Sequence, residues 1–158
     1  MLELRRDDLS HASTRALLAL HLAGMQAHSP PGSVFSLDLS GLQVPAVTVW
    51  TVWDSEEAVG VGALKKLGDG LGELKSMRTH PGHVRRGVAA MVLNRIIAQA
   101  RNRGLRRLSL ETGSGPAFDP ALALYRRRGF HDGAAFGTYE RSAFNHFLHL
   151  DLAVLPEV

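Results

Sequence analysis

The stretch His83-Val84-Arg85-Arg86-Gly87-Val88-Ala89 sets two cations and a glycine directly before an apolar, helix-periodic run. At a helix start the first backbone N–H groups lack partners and the macrodipole is positive. A glycine lets a bulky anion approach the backbone, and arginines add charge-assisted hydrogen bonds. Residues 85 to 89 are therefore a candidate anion cradle. A solvated helix end fits the same residues. No Gly-Lys-Ser/Thr follows and GxGxxG is absent, so neither a nucleotide P-loop nor a dinucleotide fingerprint is present. The chain has no cysteine, which excludes disulfides, thiolate zinc sites and cysteinyl intermediates. Ser114, in Thr112-Gly113-Ser114-Gly115-Pro116, lacks the G-x-S-x-G setting of a serine hydrolase.

Other polar clusters carry less. Arg126-Arg127-Arg128 are consecutive. On a helix they point three ways, and at its C-terminus cations are favourable without any ligand. His146 and His149 face opposite sides of a strand, and no histidine pair has a third partner at ligand spacing, so no metal is expected. A net charge of +3 is the sole argument for nucleic acid, and no nucleic-acid partner is expected.

The elements that position these residues follow from length and pattern. With 158 residues, 45% hydrophobic and 21% charged, one domain spanning 1–158 is expected. Met1 to Ser10 is charged and has no signal-peptide core, and no apolar run reaches the ~18 residues of a membrane span. The expectation is a cytoplasmic protein with no membrane partner.

Leu2 to Arg5 reads as a strand. Asp7, Asp8 and Ser10 are helix-start residues before Leu17, Leu18, Leu20, Leu22 and Met25. Ser29-Pro30-Pro31-Gly32 stops that helix, and 33 to 46 stays open between strand and helix. Ala46–Trp53, Ala58–Lys66 and Leu71–Thr79 are strands joined by short turns, hence an antiparallel meander. Gly60 and Gly62 suggest a bulge or close backbone approach. Val88, Val92, Ile96 and Ala100 mark a helix opening near Arg86, with Gly104 as its stop. Arg106–Thr112 is the next strand, completing a βαβ unit. Asp119-Pro120 reads as N-cap and first helical residue before a short helix ended by Gly129. Strands around Phe130–Ala135 and near Ala143–Leu152 close the chain. The fold class is α+β: a mixed, mostly antiparallel twisted sheet of six to seven strands with helices on both faces.

This order resembles the GNAT family of N-acetyltransferases over about residues 46 to 152: a strand broken at Pro81, Arg-Arg-Gly-Val-Ala, a long helix, a strand, and a helix ending Leu124-Tyr125-Arg126-Arg127-Arg128-Gly129-Phe130. The match is most specific from Glu73 to Phe130. Gly87 and Ala89 fit the family's Arg/Gln-x-x-Gly-x-Gly/Ala pattern. Val84 departs from its first position, and Phe118 stands where the family often has Asn. The resemblance implies acetyl-CoA as co-substrate, its pyrophosphate held by Arg85, Arg86, Gly87, Val88 and Ala89. Its pantetheine arm would pair with the backbone of Met77, Arg78 and Thr79, on a strand splayed from its neighbour. Tyr125 matches the family's acid, which protonates the departing thiolate. Glu73 matches the base of some members and by alternation shares a face with Lys75, Met77 and Thr79. Glu111 is its rival on the neighbouring strand.

The activity implied is direct acetyl transfer to a primary amine of a small molecule or peptide. The alternative is a non-catalytic acyl-CoA-binding module on the same fold. Acceptor recognition is expected from residues 20 to 45 and the last hairpin. Asp38 is the sole acidic residue between 29 and 45, so no acidic groove for a polybasic peptide is expected. A homodimer is compatible with all of this.

Overall fold

The computed structural model describes residues 1–152. Seven strands form one sheet in the order β1-β2-β3-β4-β5-β7-β6. β1 (Leu2–Asp7), β2 (Val47–Asp54), β3 (Glu57–Gly68) and β4 (Leu71–Thr79) make the antiparallel meander. A 3-10 turn at Pro81–His83 leads to α3 (Val88–Asn102), which returns to β5 (Arg107–Thr112) parallel to β4. α4 (Asp119–Arg127) precedes β6 (His131–Asp132) and β7 (His146–Asp151). α1 (Ala12–His28) and the single turn α2 (Leu39–Leu42) occupy the segment between β1 and β2.

The sheet separates two apolar layers. On one face Val88, Val92, Leu93, Ile96 and Ile97 of α3 pack with Val52, Leu64, Leu74, Leu108, Leu110 and, from α4, Leu122 and Tyr125. On the other, Leu17 and Leu18 of α1 pack with Leu42, Val49, Trp53, Val61 and Ala63. The α3 layer depends on two glycines. A Cβ on Gly60 would lie 2.2 Å from Val88 Cγ1, and one on Gly62 2.5 Å from both Val92 Cγ1 and Met77 Sδ. The expected close approach is thus a helix pressed onto bare backbone.

The structure differs from the sequence reading in several places. α1 is capped by His11, whose ring accepts from the Ser13 N–H, while Asp7 accepts from Leu9 N and from the Thr14 and Thr51 hydroxyls. α3 opens at Val88 because Gly87 takes a left-handed conformation at φ 77°. Asp119 is already helical, Phe118 holding the cap position. The strand expected at Phe130–Ala135 is two residues long. In β4, Ser76 adopts φ 58°, and the register with β3 slips so that Ser76 and Met77 both lie opposite Gly62. This bulge overturns the shared face expected for Glu73, Lys75, Met77 and Thr79. Met77 turns to the α3 side over Gly62, and Arg78 joins Glu73 and Lys75 on the α1 side.

Candidate active site

β4 and β5 pair at only three positions, Leu71–Arg107, Gly72–Leu108 and Glu73–Ser109. Beyond them the strands part, and a cleft of about 850 Å³ opens between them. From Leu74 to Thr79 the β5-facing edge of β4 has no strand partner among the described residues. The Ser76 bulge bends β4 where it leaves its neighbour.

The start of α3 stands at the cleft mouth. Val84, Arg85, Gly87, Val88, Ala89 and Ala90 line it. The first helical bond is Met91 N to Gly87 O, so the N–H groups of Val88 to Ala90 are not used within the helix. Arg85 also has positive φ, 66°. Arg86 turns away: its guanidinium donates to Asp54 at 2.8 Å and to His83 Nδ1 at 2.7 Å. The arginine run of α4 divides three ways. Arg127 lines the cleft, Arg126 pairs with Asp132, and Arg128 donates to Asn94.

Deeper in the cleft the carboxylates differ. Glu73 is 4% exposed. Its Oε2 accepts from Lys75 Nζ at 3.1 Å and from the Tyr139 hydroxyl at 2.5 Å. Lys75 also donates to the Tyr139 oxygen at 2.8 Å and to the Phe35 carbonyl at 3.3 Å, so its three protons are all engaged. Burial and the bond to Glu73 push the Tyr139 hydroxyl far above its ordinary pKa. Glu111 sits across the gap and forms no ion pair among the described residues. Burial raises its carboxyl from 4.5 to about 7, against the opposing charge of Lys75 and the Asn145 amide and with help from Glu73.

Tyr125 reaches the same cleft from α4, its hydroxyl unbonded to protein among the described residues. Burial pushes its pKa well up, with the Arg78 charge opposing. Arg78 donates from Nε to His21 Nδ1 at 3.0 Å and from Nη2 to the His21 carbonyl at 3.4 Å.

The sequence reading did not identify Tyr139 or His21. Tyr139 comes from the loop between β6 and β7 and stacks edge-on against Phe35 from the segment before α2, at 5.2 Å. No local spacing announces such a meeting, although the chain has only two tyrosines. His21 was hidden in an apolar helical repeat. Arg78 was expected to contribute only backbone, because the bulge that aims its side chain is invisible to alternation. The expectation of no histidine cluster with a third partner also changes. Glu57, His80 and His83 bring their ligand atoms within 4.8 Å of one another at the outer rim, with the Arg86 cation against His83.

The chain belongs to the GNAT family of acetyltransferases: the model of the Acetyltransferase (GNAT) family matches residues 15–130. An uncharacterized N-acetyltransferase, YedL, of Escherichia coli K12 is 46% identical over 152 residues, covering 96% of each chain. A structure described as a putative acyl-CoA N-acyltransferase from Klebsiella pneumoniae superposes with a TM-score of 0.81 at 29% identity, covering 97% of this chain and 99% of that one. A Bacillus subtilis acetyltransferase, solved in complex with CoA, shares the fold at a TM-score of 0.71 and 19% identity, over 97% of this chain and all of the other. The protein is thus an acetyltransferase, and no helix among its described residues is long and apolar enough to cross a membrane.

Proposed function

We propose that the protein moves an acetyl group from acetyl-CoA directly to a primary amine of a small molecule or peptide. The observation that carries this reading is the parting of β4 and β5 after Glu73. It gathers an anion cradle, an unpaired strand edge, two carboxylates and a buried tyrosine around one cleft. When bound, acetyl-CoA supplies a thioester carbonyl open to attack by a neutral amine.

The residues present fit such a ligand. The unused N–H groups of Val88 to Ala90, with Arg85 and Arg127 beside them, suit a pyrophosphate. Val88 and Ala89 offer no side chain that would block it, and at Gly87 an added Cβ would meet nothing within 4 Å. The open edge of Met77, Arg78 and Thr79 suits an amide-bearing arm. Arg86, tied to Asp54, contributes through backbone only in this reading.

Glu111 is the proton acceptor for the incoming ammonium, directly or through water. Its carboxyl changes charge near neutrality, where an acceptor of protons works best. Glu73 is already occupied by Lys75 and Tyr139. It holds this corner of the cleft through those two bonds, while burial is what keeps the Glu111 proton affinity high. Tyr125, raised above its ordinary range, remains a hydroxyl donor for the departing sulfur.

The test is acetyl-CoA consumption against a panel of amines and amino acids. Tyr125→Phe should then lower kcat by roughly 10- to 10⁴-fold with little change in acetyl-CoA KM. A purified, folded protein that consumes no acetyl-CoA with any amine would overturn the reading.

A further inference from the structure

Among the cleft's cations, Arg78 is set apart by what holds it. Lys75 spends its three protons on Glu73, Tyr139 and Phe35. Arg85 and Arg127 are exposed at the mouth, and Arg86, outside the lining, is neutralised by Asp54. Arg78 is held by neutral groups alone, the ring nitrogen and the carbonyl of His21. The imidazole is uncharged at neutral pH, its pKa lowered to about 4 first by burial and then by the Arg78 charge. The Ser36 hydroxyl lies 3.5 Å from its other nitrogen. No carboxylate pairs with Arg78 among the described residues.

A half-buried guanidinium stays charged. Desolvation without a counter-charge is costly, so the position is one a ligand's anion would relieve. Two of its five N–H groups are engaged and the rest are available. The site is also built around it. Gly24 sits inside α1, where glycine is less favourable than alanine. A Cβ there would lie 2.9 Å from Arg78 Nη2. The helix has a gap where the guanidinium lies.

The place matters as much as the charge. The Ser76 bulge turns Arg78 to the sheet face that carries Glu73, Lys75 and Glu111. That face is covered by α1 and the segment with Phe35 and Ser36. The anion cradle is elsewhere, at the start of α3 on the opposite layer. With Lys75 saturated, this side has one unquenched planar fork. That matches a single carboxylate better than a phosphate dianion, which calls for several donors.

We infer that Arg78, positioned by His21, is the anchor for a carboxylate on the acceptor, so the preferred substrates are amines of the amino-acid type. This rests on the acetyl-transfer reading above, and its test is separable from it. Wild type is compared on matched pairs, phenylalanine with phenethylamine and leucine with isoamylamine. The expected result is a higher kcat/KM for the carboxylate-bearing member. Arg78→Met should reduce that preference by roughly 10- to 100-fold, the loss of a hydrogen bond to a charged group. The change should fall more on acceptor KM than on acetyl-CoA KM, and more on the carboxylate-bearing amines than on the carboxylate-free ones. Arg78→Lys keeps the charge without the fork and should fall between the two. A melting curve checks that each variant is folded. A preference that survives Arg78→Met overturns the assignment, as does a loss of CoA affinity with unchanged acceptor KM. Turnover by wild type with no preference overturns this inference alone. No turnover with any amine overturns it together with the reading beneath it.

Discussion

Two glutamates reach the cleft in different surroundings. Glu73 accepts from Lys75 and Tyr139; Glu111 has burial pressing its carboxyl up to about 7. The pH profile should separate them. Below about 7 both the amine and Glu111 lose the deprotonated form, so log kcat/KM should rise with a slope near two; above it the amine alone leaves a slope near one. Glu111→Gln should remove the break near 7 and leave the amine's limb, whereas a break that persists would return the role to Glu73 or to solvent. The same shift bears on stability. Glu111 binds its proton more tightly folded than unfolded, so its contribution is complete below about 4.5 and is lost as pH rises through about 7. Glu111→Gln should therefore gain stability relative to wild type across that window, by about 1–2 kcal/mol after discounting for partial solvent screening. Equilibrium denaturation at pH 4 and pH 8 measures it, and an unchanged difference between the two proteins would refute the shift.

At the scale of elements, the proposed cradle would depend on how closely α3 lies on β3. Val88 is both the first residue of α3 and the neighbour of bare Gly60. Gly60→Ala should push the helix start off the sheet. The expected cost is about 1–3 kcal/mol, as for other overpacked sites, with acetyl-CoA KM raised more than the acceptor KM. Gly104→Ala is the control, since Gly104 has φ 75° with open space around it and lies at the far end of α3. It should cost roughly 1 kcal/mol through backbone strain and leave both KM values alone. Equal KM effects in the two variants would disconnect the cradle from that packing. The order and types of the long elements were legible because α3 repeats at helical spacing and the β2–β4 meander is β-branched with short turns. The short pieces were not. α2 is a single turn fixed by Asp38 accepting from the Gly41 N–H at 2.8 Å, and β6 exists through pairing with β7. Both owe their form to local capping or distant partners, which periodicity does not register. The bulge at Ser76 had the largest effect on the site: one added residue reversed the faces of Met77 and Arg78.

Across the whole molecule, the sheet is a wall between two layers, and its strands are continuous except at one place. Ser109, Glu111, Glu73 and Arg78 look toward α1. Leu110, Leu74 and Met77 look toward α3, and Tyr125 rises from that layer. In an unbroken sheet these two sets could not touch the same molecule. The three rungs joining β4 to β5 stop short of the strand ends, so the wall has a window. A donor lodged on the α3 side and an acceptor arriving from the α1 side would have separate doors to a common room. Neither would have to leave before the other entered. Initial rates with both substrates varied should accordingly give intersecting double-reciprocal lines, and CoA should not compete with the amine for the free enzyme. Parallel lines would mean that the two molecules take turns at one entrance, and that the window passes one guest at a time.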